Sequence, residues 1–147
     1  MMTLTTGKNT MKKFKLGLDF HGVIDTFPEY MALFSQLLVD AGHEVHVVTG
    51  LKRNSGIESD LNRFGIKFTH YFSIVDKLEQ DGVTIIWRDG LPYADKIYWD
   101  IAKRDYCEAN QIDIMIDDSP VYRDTFHDIS TVYLHLVNEK RKQYIVR

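Results

Sequence analysis

Short apolar runs recur along this chain, and they constrain its fold more than any other feature. Five runs of seven residues lie at 14–20, 44–50, 68–74, 112–118 and 131–137. Runs that are apolar at almost every position are typical of strands buried on both faces, as in a parallel sheet. We therefore predict a sheet with these five runs as its strands.

Helical signals lie between the runs. Thr26 and Glu29 have capping-box spacing with Pro28 in the first turn, which predicts a helix that ends at Gly42. Apolar residues recur along this helix at Tyr30, Phe34, Leu37, Leu38 and Ala41. Further helices are predicted at 57–64, 73–81, 94–109 and from Ser119–Pro120 to about residue 127. Alternating strands and helices predict a three-layer α/β/α, Rossmann-like fold.

Two segments do not follow the alternation. Residues 1–11 are polar and unpatterned, so we expect a flexible tail before a single domain at 12–147. Residues 83–93, VTIIWRDGLPY, read as two short extended pieces around an Asp-Gly turn. They predict a small hairpin or flap inserted into the domain.

Composition excludes several classes of protein. The net charge of -3 argues against general affinity for nucleic acid or anionic membranes. Cys107 is the single cysteine, so neither an internal disulfide nor a cysteine-rich zinc site can form. No run approaches the roughly 20 apolar residues of a membrane span, and the N-terminus lacks a signal-peptide core. We expect a cytoplasmic protein.

Polar residues close several of the predicted strands. Asp19, Thr49, Asp117 and Asp118 all stand at predicted carboxyl ends, where ligands bind in open α/β sheets. The remaining histidines have no ligand spacing and are interpreted as structural: His43, His46, His70, His127 and His135. The sequence thus predicts one polar site at one edge of the sheet.

Four segments at these strand ends resemble a known family. They are DFHG at 19–22, VVTG at 47–50, a later lysine, and IDDSP at 116–120. In this order they resemble the haloacid dehalogenase (HAD)-like superfamily of phosphohydrolases, in its short form without a large cap. The resemblance covers residues 14–137 and implies a Mg²⁺-dependent phosphatase with an aspartyl-phosphate intermediate, with a nucleotidase-like activity as one candidate.

The resemblance implies a role for each acidic residue. Asp19 is the expected nucleophile and also a magnesium ligand. The main-chain carbonyl of His21 and one of the terminal acidic pair are the other expected protein ligands. Asp118 is favoured as that ligand, and Asp117 is then an outer ligand or a partner for the lysine.

The resemblance also implies how phosphate is bound. Thr49 and Gly50 are expected to contact it, and a lysine is expected to neutralise it. Lys103 is favoured for that role, with Asp100 capping a helix that places it in the first turn. Lys96 is the alternative if one uninterrupted helix starts near residue 94, because Lys103 then lies about 10 Å further from the active edge.

His21 departs from the family pattern, which has aspartate as the acid and base at this position. An imidazole can transfer protons near neutral pH, so a phosphatase that uses His21 is the main hypothesis. The alternative is a catalytically impaired module that binds Mg²⁺ and a phosphorylated ligand or partner protein. The expected ligand is a phosphorylated small molecule or nucleotide, and a homo-oligomer could cover the open site.

Overall fold

A computed structural model of the chain describes residues 12–137. Its elements, in chain order, are β1 Lys15–Leu18, α1 Pro28–Asp40, β2 Glu44–Thr49, α2 Ser55–Arg63, β3 His70–Ser73, α3 Ile74–Gln80, β4 Ile86–Arg88, β5 Leu91–Tyr93, α4 Lys96–Ala109, β6 Ile114–Asp117, α5 Pro120–Arg123 and β7 Val132–His135. The predicted tail at 1–11 and the last part of the predicted domain, 138–147, lie outside the described residues.

Five parallel strands form the central sheet in the order β3-β2-β1-β6-β7. Strand β1 lies in the middle, with Leu18 opposite Val47 of β2 and Ile116 of β6. The strands that follow β1 first, β2 and β3, therefore lie on one side of it, and the later strands β6 and β7 lie on the other. The carboxyl end of β1 is the topological switch point, where such sheets bind ligands.

Helices cover both faces of this sheet. On one face, Leu18 and Val47 pack with Met31 of α1 and Leu61 of α2. On the other face, the core includes Met115 with Cys107 of α4, and α3 joins α4 in an adjoining cluster. These layers confirm the predicted three-layer α/β/α, Rossmann-like fold.

The predicted hairpin forms as an antiparallel pair, β4 and β5. Its turn residues Asp89 and Gly90 both have positive φ, at 52° and 76°, which suits the tight turn of a two-residue hairpin. The Asp-Gly pair was therefore a reliable signal.

The start and the buried face of α1 differ from the prediction. The helix begins at Pro28 without a side-chain cap, because its N-cap residue is Phe27 and not Thr26, whose hydroxyl donates to Asp25. Met31 and Ser35 are its buried residues, whereas the predicted apolar positions Tyr30, Phe34 and Leu37 are exposed. Both faces of α1 carry apolar residues, so periodicity did not reveal which one packs inward.

Two other helices also differ in detail from their predictions. Helix α5 ends at Arg123 rather than near 127, and Phe126 turns into the core against Tyr133. Helix α4 begins at Lys96 rather than at 94, and its inward positions are Ala102, Lys103 and Cys107. Within residues 12–137, no helix is long and apolar enough to cross a membrane.

Candidate active site

The polar ends of β1, β2 and β6 meet at one edge of the sheet. Asp19 extends β1, and its backbone N–H donates to the carbonyl of Ile116 at 3.0 Å. Thr49 ends β2 and Asp117 ends β6, and all three of these polar side chains are buried. The structure thus brings together the residues that the sequence placed at strand ends.

Lys103 joins two of these strands electrostatically. Its Nζ lies 3.0 Å from Oδ1 of Asp19 and 2.8 Å from Oδ2 of Asp117. The same ammonium stands 4.5 Å from the centre of the Tyr122 ring, and only 1% of the residue is exposed. A buried cation of this kind is stable only because both carboxylates and the ring face compensate for its lost hydration.

Lys96, the alternative, is not part of the site. It is exposed and pairs with Asp100, which therefore does not cap a helix as predicted. Helix α4 is uninterrupted from Lys96 and is capped by Asp95, whose Oδ1 accepts from Ile97 N–H at 3.0 Å. The preference for Lys103 is consistent with this geometry, but the predicted helix start at Asp100 was wrong.

Helix α4 begins beyond the edge of the sheet, so its second turn, and not its first, reaches the site. Trp99, one turn before Lys103, lies over Gly50, where an added Cβ would stand 3.1 Å from the indole. The first turn of α4 therefore projects beyond the sheet edge, toward the hairpin. The distance of Lys103 from the sheet edge could not be predicted from the start of α4, because the sequence does not show how far the helix extends beyond the sheet.

The adjacent carboxylates Asp117 and Asp118 have different surroundings. Asp117 accepts from Lys103 through Oδ2 and from the Ser119 N–H through Oδ1 at 3.1 Å, so both its oxygens are engaged. Asp118 lies against the backbone of Gly22, which has φ of +84° and where any Cβ would overlap the carboxylate. These contacts fit Asp117 as the partner of the lysine and leave Asp118 facing the turn after β1.

Charge in this pocket is unbalanced among the side chains that face it. Asp19, Asp117 and Asp118 each offer an oxygen within 4.8 Å of the others, and all three are buried. Lys103 supplies one positive charge against three potential negative charges. A divalent cation with a preference for oxygen ligands fits this set of donors, and magnesium has that preference.

The electrostatic consequence is visible at Asp19. The pKa of Asp19 is raised to about 8, chiefly by burial and also by Asp117 and Asp118, while Lys103 opposes the shift. Burial alone would lower the pKa of Lys103, but the two neighbouring carboxylates raise it, so the ammonium stays charged. Additional positive charge at this point would favour the ionised Asp19.

His21 stands at the mouth of the site. Its side chain is 66% exposed, and Nδ1 lies 2.9 Å from Oδ2 of Asp25. The other oxygen of Asp25 accepts from the N–H of Gly22 at 2.8 Å, which fixes the carboxylate in the turn. The imidazole is therefore held by Asp25 beside the cleft, and the main-chain carbonyl of His21 stays a predicted metal ligand.

A cleft of about 610 Å³ opens from these residues toward the hairpin. Asp19, Thr49, Gly50 and Lys103 line one part of it. Apolar side chains line another part, namely Ile57, Trp87, Leu91, Trp99 and Tyr122. The volume is that of a typical small-molecule site, and the predicted flap contributes to its wall.

Sequence reasoning did not assign three of the residues found here to the site, namely Asp25, Trp99 and Tyr122. Tyr122 accepts a hydrogen bond from Trp99 Nε1 at 2.7 Å, which holds the Tyr122 ring against the Lys103 ammonium. Asp25 lies four residues after His21, the spacing at which side chains on one turn meet. That spacing was a usable signal, whereas the contact between Trp99 and Tyr122 depends on tertiary packing.

Comparisons with known proteins support the fold and leave the chemistry open. No protein-family model matches the chain, and a search of curated proteins found no significant match. Among solved structures, it is similar to an uncharacterized protein from Corynebacterium glutamicum, with a TM-score of 0.54 and 12% identity. The match covers 92% of this chain and 93% of that one, so the whole architecture is shared.

The pKa of Asp19 predicts how pH changes stability without divalent ions. A carboxyl with a pKa of about 8 in the folded protein and near 4 in the unfolded chain takes up a proton on folding at any pH between these values. Its stabilising contribution is complete below pH 4 and is lost as the pH rises to 8. Asp19→Asn does not titrate, so in EDTA we expect its stability relative to wild type to increase from pH 4 to 8.

Urea denaturation of both proteins across that range measures the difference. Mg²⁺ added at pH 8 should stabilise wild type more than Asp19→Asn, because the ion favours the ionised carboxylate. A stability difference that does not change with pH would show that Asp19 titrates normally.

Proposed function

We propose that this protein is a Mg²⁺-dependent phosphohydrolase of the HAD-like type that acts on phosphate monoesters. The observation that carries the proposal is the buried Asp19, which shares Lys103 with Asp117 beside Asp118. The order of the four sequence segments supports the same assignment. A buried carboxylate with a partner cation at a switch point is the arrangement that a carboxylate nucleophile needs.

In the first step, an oxygen of Asp19 attacks phosphorus. The new O–P bond forms as the ester O–P bond breaks, which yields an aspartyl-phosphate and releases the alcohol. His21, at the mouth of the cleft, donates the proton that the leaving oxygen needs. In the second step water attacks the phosphorus, His21 accepts the proton from the water, and Asp19 is regenerated as phosphate leaves.

Binding residues would hold the anion during both steps. Lys103 counters the charge of the nucleophile and the phosphoryl group, and Thr49 and Gly50 line the same cleft. Asp19, Asp118 and the main-chain carbonyl of His21 would hold the magnesium ion. When bound, that ion supplies positive charge that lets two anions approach each other.

The walls of the cleft favour a substrate with a flat apolar group. Trp87 and Leu91 of the hairpin and Trp99 of α4 line the cleft that contains the acidic site. Trp87 is 48% exposed, so its ring is accessible to a ligand. We therefore propose an aryl or nucleoside phosphate, with the ring against Trp87 and the phosphate at Lys103.

His21 supports a second candidate, a binding module that holds Mg²⁺ and a phosphorylated ligand without turnover. The imidazole is held by Asp25 and is largely exposed, whereas the acidic residues are buried. Under this hypothesis the site binds the anion but lacks an efficient proton donor.

Two substitutions and one matched control test the catalytic roles. Asp19→Asn should lower kcat on a phosphate monoester at least about a thousandfold, because no nucleophile remains. Lys103→Met should lower it about a hundredfold, while Lys96→Met, an exposed residue of the same helix, should leave it unchanged. Phosphate release is measured with Mg²⁺ and with EDTA. Activity that persists in Asp19→Asn would refute the assignment of Asp19 as the nucleophile.

His21→Asp separates the enzyme from the binding module. If the imidazole transfers the protons, the substitution should lower kcat at neutral pH by about tenfold or more. Because the His21 side chain is largely exposed, the substitution should leave the fold intact, and circular dichroism checks this. A large gain in rate would mean that His21 impairs turnover, which would favour the module.

Trp87→Ala tests the substrate class. Loss of stacking worth about 1–3 kcal/mol should raise KM for a nucleoside monophosphate about tenfold and leave KM for glycerol phosphate unchanged. Tyr93→Ala is the matched control, since Tyr93 lies in the same hairpin but lines a different cavity. Equal KM values for the nucleotide in wild type and Trp87→Ala would exclude a stacked ring at Trp87.

A further inference from the structure

A second group of potential metal ligands lies away from the carboxylate site. Glu44 and His46 are two residues apart on β2, so their side chains share a face, and His70 is the register partner of His46 on β3. One donor atom from each lies within 4.8 Å of the others. We propose that Glu44, His46 and His70 bind a zinc ion.

The cluster is separate from the proposed active site. Glu44 begins β2 and His70 begins β3, whereas Thr49 ends β2 at the opposite edge of the sheet. His46 and Thr49 are three positions apart on β2, which is about 10 Å of strand. The two groups of residues are therefore too far apart to bind the same ion.

The chemistry of the donors selects the metal. Two imidazoles and one carboxylate suit zinc, and this set of three leaves a fourth position for water or another ligand. Magnesium prefers oxygen ligands throughout, so it should not compete here. His70 has a side chain that is 49% exposed, which provides an entry route and room for the fourth ligand.

Neighbouring groups already orient two of the ligands. His46 contacts Glu44 Oε1 through Nε2 at 2.8 Å and the Tyr106 hydroxyl through Nδ1 at 2.6 Å. When Nε2 binds a metal, Nδ1–H can donate to Tyr106, which is the outer hydrogen bond that metal-bound histidines commonly make. The buried His46 is thus fixed in position before any ion arrives.

His70 needs one adjustment. Its ring stacks on that of His46, with centroids 4.1 Å apart and planes 8° apart, so the two ring edges lie side by side rather than converging. A rotation about the side-chain bonds of the half-exposed His70 turns its nitrogen toward the ion. The rotation gives up the stacking and the 2.8 Å hydrogen bond between His70 Nδ1 and the Thr69 hydroxyl, so the bond to zinc has to compensate for both.

One nearby positive charge opposes the ion. Lys15 is the register partner of Glu44 on β1, but its Nζ donates to the carbonyl of Asn110 at 3.1 Å. That contact engages its ammonium at the end of α4, and Glu44 makes its hydrogen bond with His46 instead. Zinc would replace that hydrogen bond with a stronger interaction.

Titration calorimetry with Zn²⁺ in excess Mg²⁺ tests this site independently of the proposed phosphatase. We expect one zinc ion per wild-type chain, and His70→Ala should weaken its binding by about tenfold or more, as should Glu44→Gln. His127→Ala, a solvent-exposed histidine outside the cluster, should bind as wild type does. Asp118→Asn should also retain zinc, whether or not the carboxylate site binds Mg²⁺.

Thermal unfolding provides a second readout. Zinc should raise the Tm of wild type and of His127→Ala more than that of His70→Ala, because an ion that binds only the folded state stabilises it by an amount that grows with its affinity. Equal zinc affinity in wild type and His70→Ala, or no zinc binding by wild type, would overturn the proposal.

Discussion

The ammonium of Lys103, buried between Asp19 and Asp117, is the interaction on which the candidate site depends. It joins the ends of β1 and β6 to α4, three elements distant in sequence. Without it, the buried carboxylates would repel one another at the sheet edge with no compensating cation. Lys103 alone leaves an excess of negative charge in the pocket, and that excess is the physical reason for expecting a divalent ion.

The fold brings these charges together through strand order rather than through local sequence. Because β1 lies between β2 and β6, the polar residues that end three separate segments meet at one point. Gly22 is required in the turn, because any side chain there would occupy the space of the Asp118 carboxylate. The hairpin and the overhanging first turn of α4 then add aromatic walls, which the central sheet could not provide.

Strand positions and strand-end residues were predictable because apolar runs and their polar endings are local features. The inward face of α1 was not predictable, since Tyr30 and Met31 both belong to apolar stripes and only packing selects Met31. The predicted helix start at Asp100 was wrong because Asp95 caps α4 earlier in the chain, and the position of Lys103 depends on how far α4 extends beyond the sheet, which is a tertiary property. Similarly, His46 and His70 lack ligand spacing in sequence, yet the register of β2 and β3 places them side by side.

Anomalous diffraction from crystals soaked in Mn²⁺ tests the central claim most directly, since manganese replaces magnesium at oxygen-rich sites. The account predicts an anomalous peak within bonding distance of Asp19 and Asp118, close to the backbone of residue 21, and absent in crystals of Asp19→Asn. A pocket with no peak, while Lys103 remains between Asp19 and Asp117, would contradict it. The carboxylates would then be a structural network held by the lysine alone.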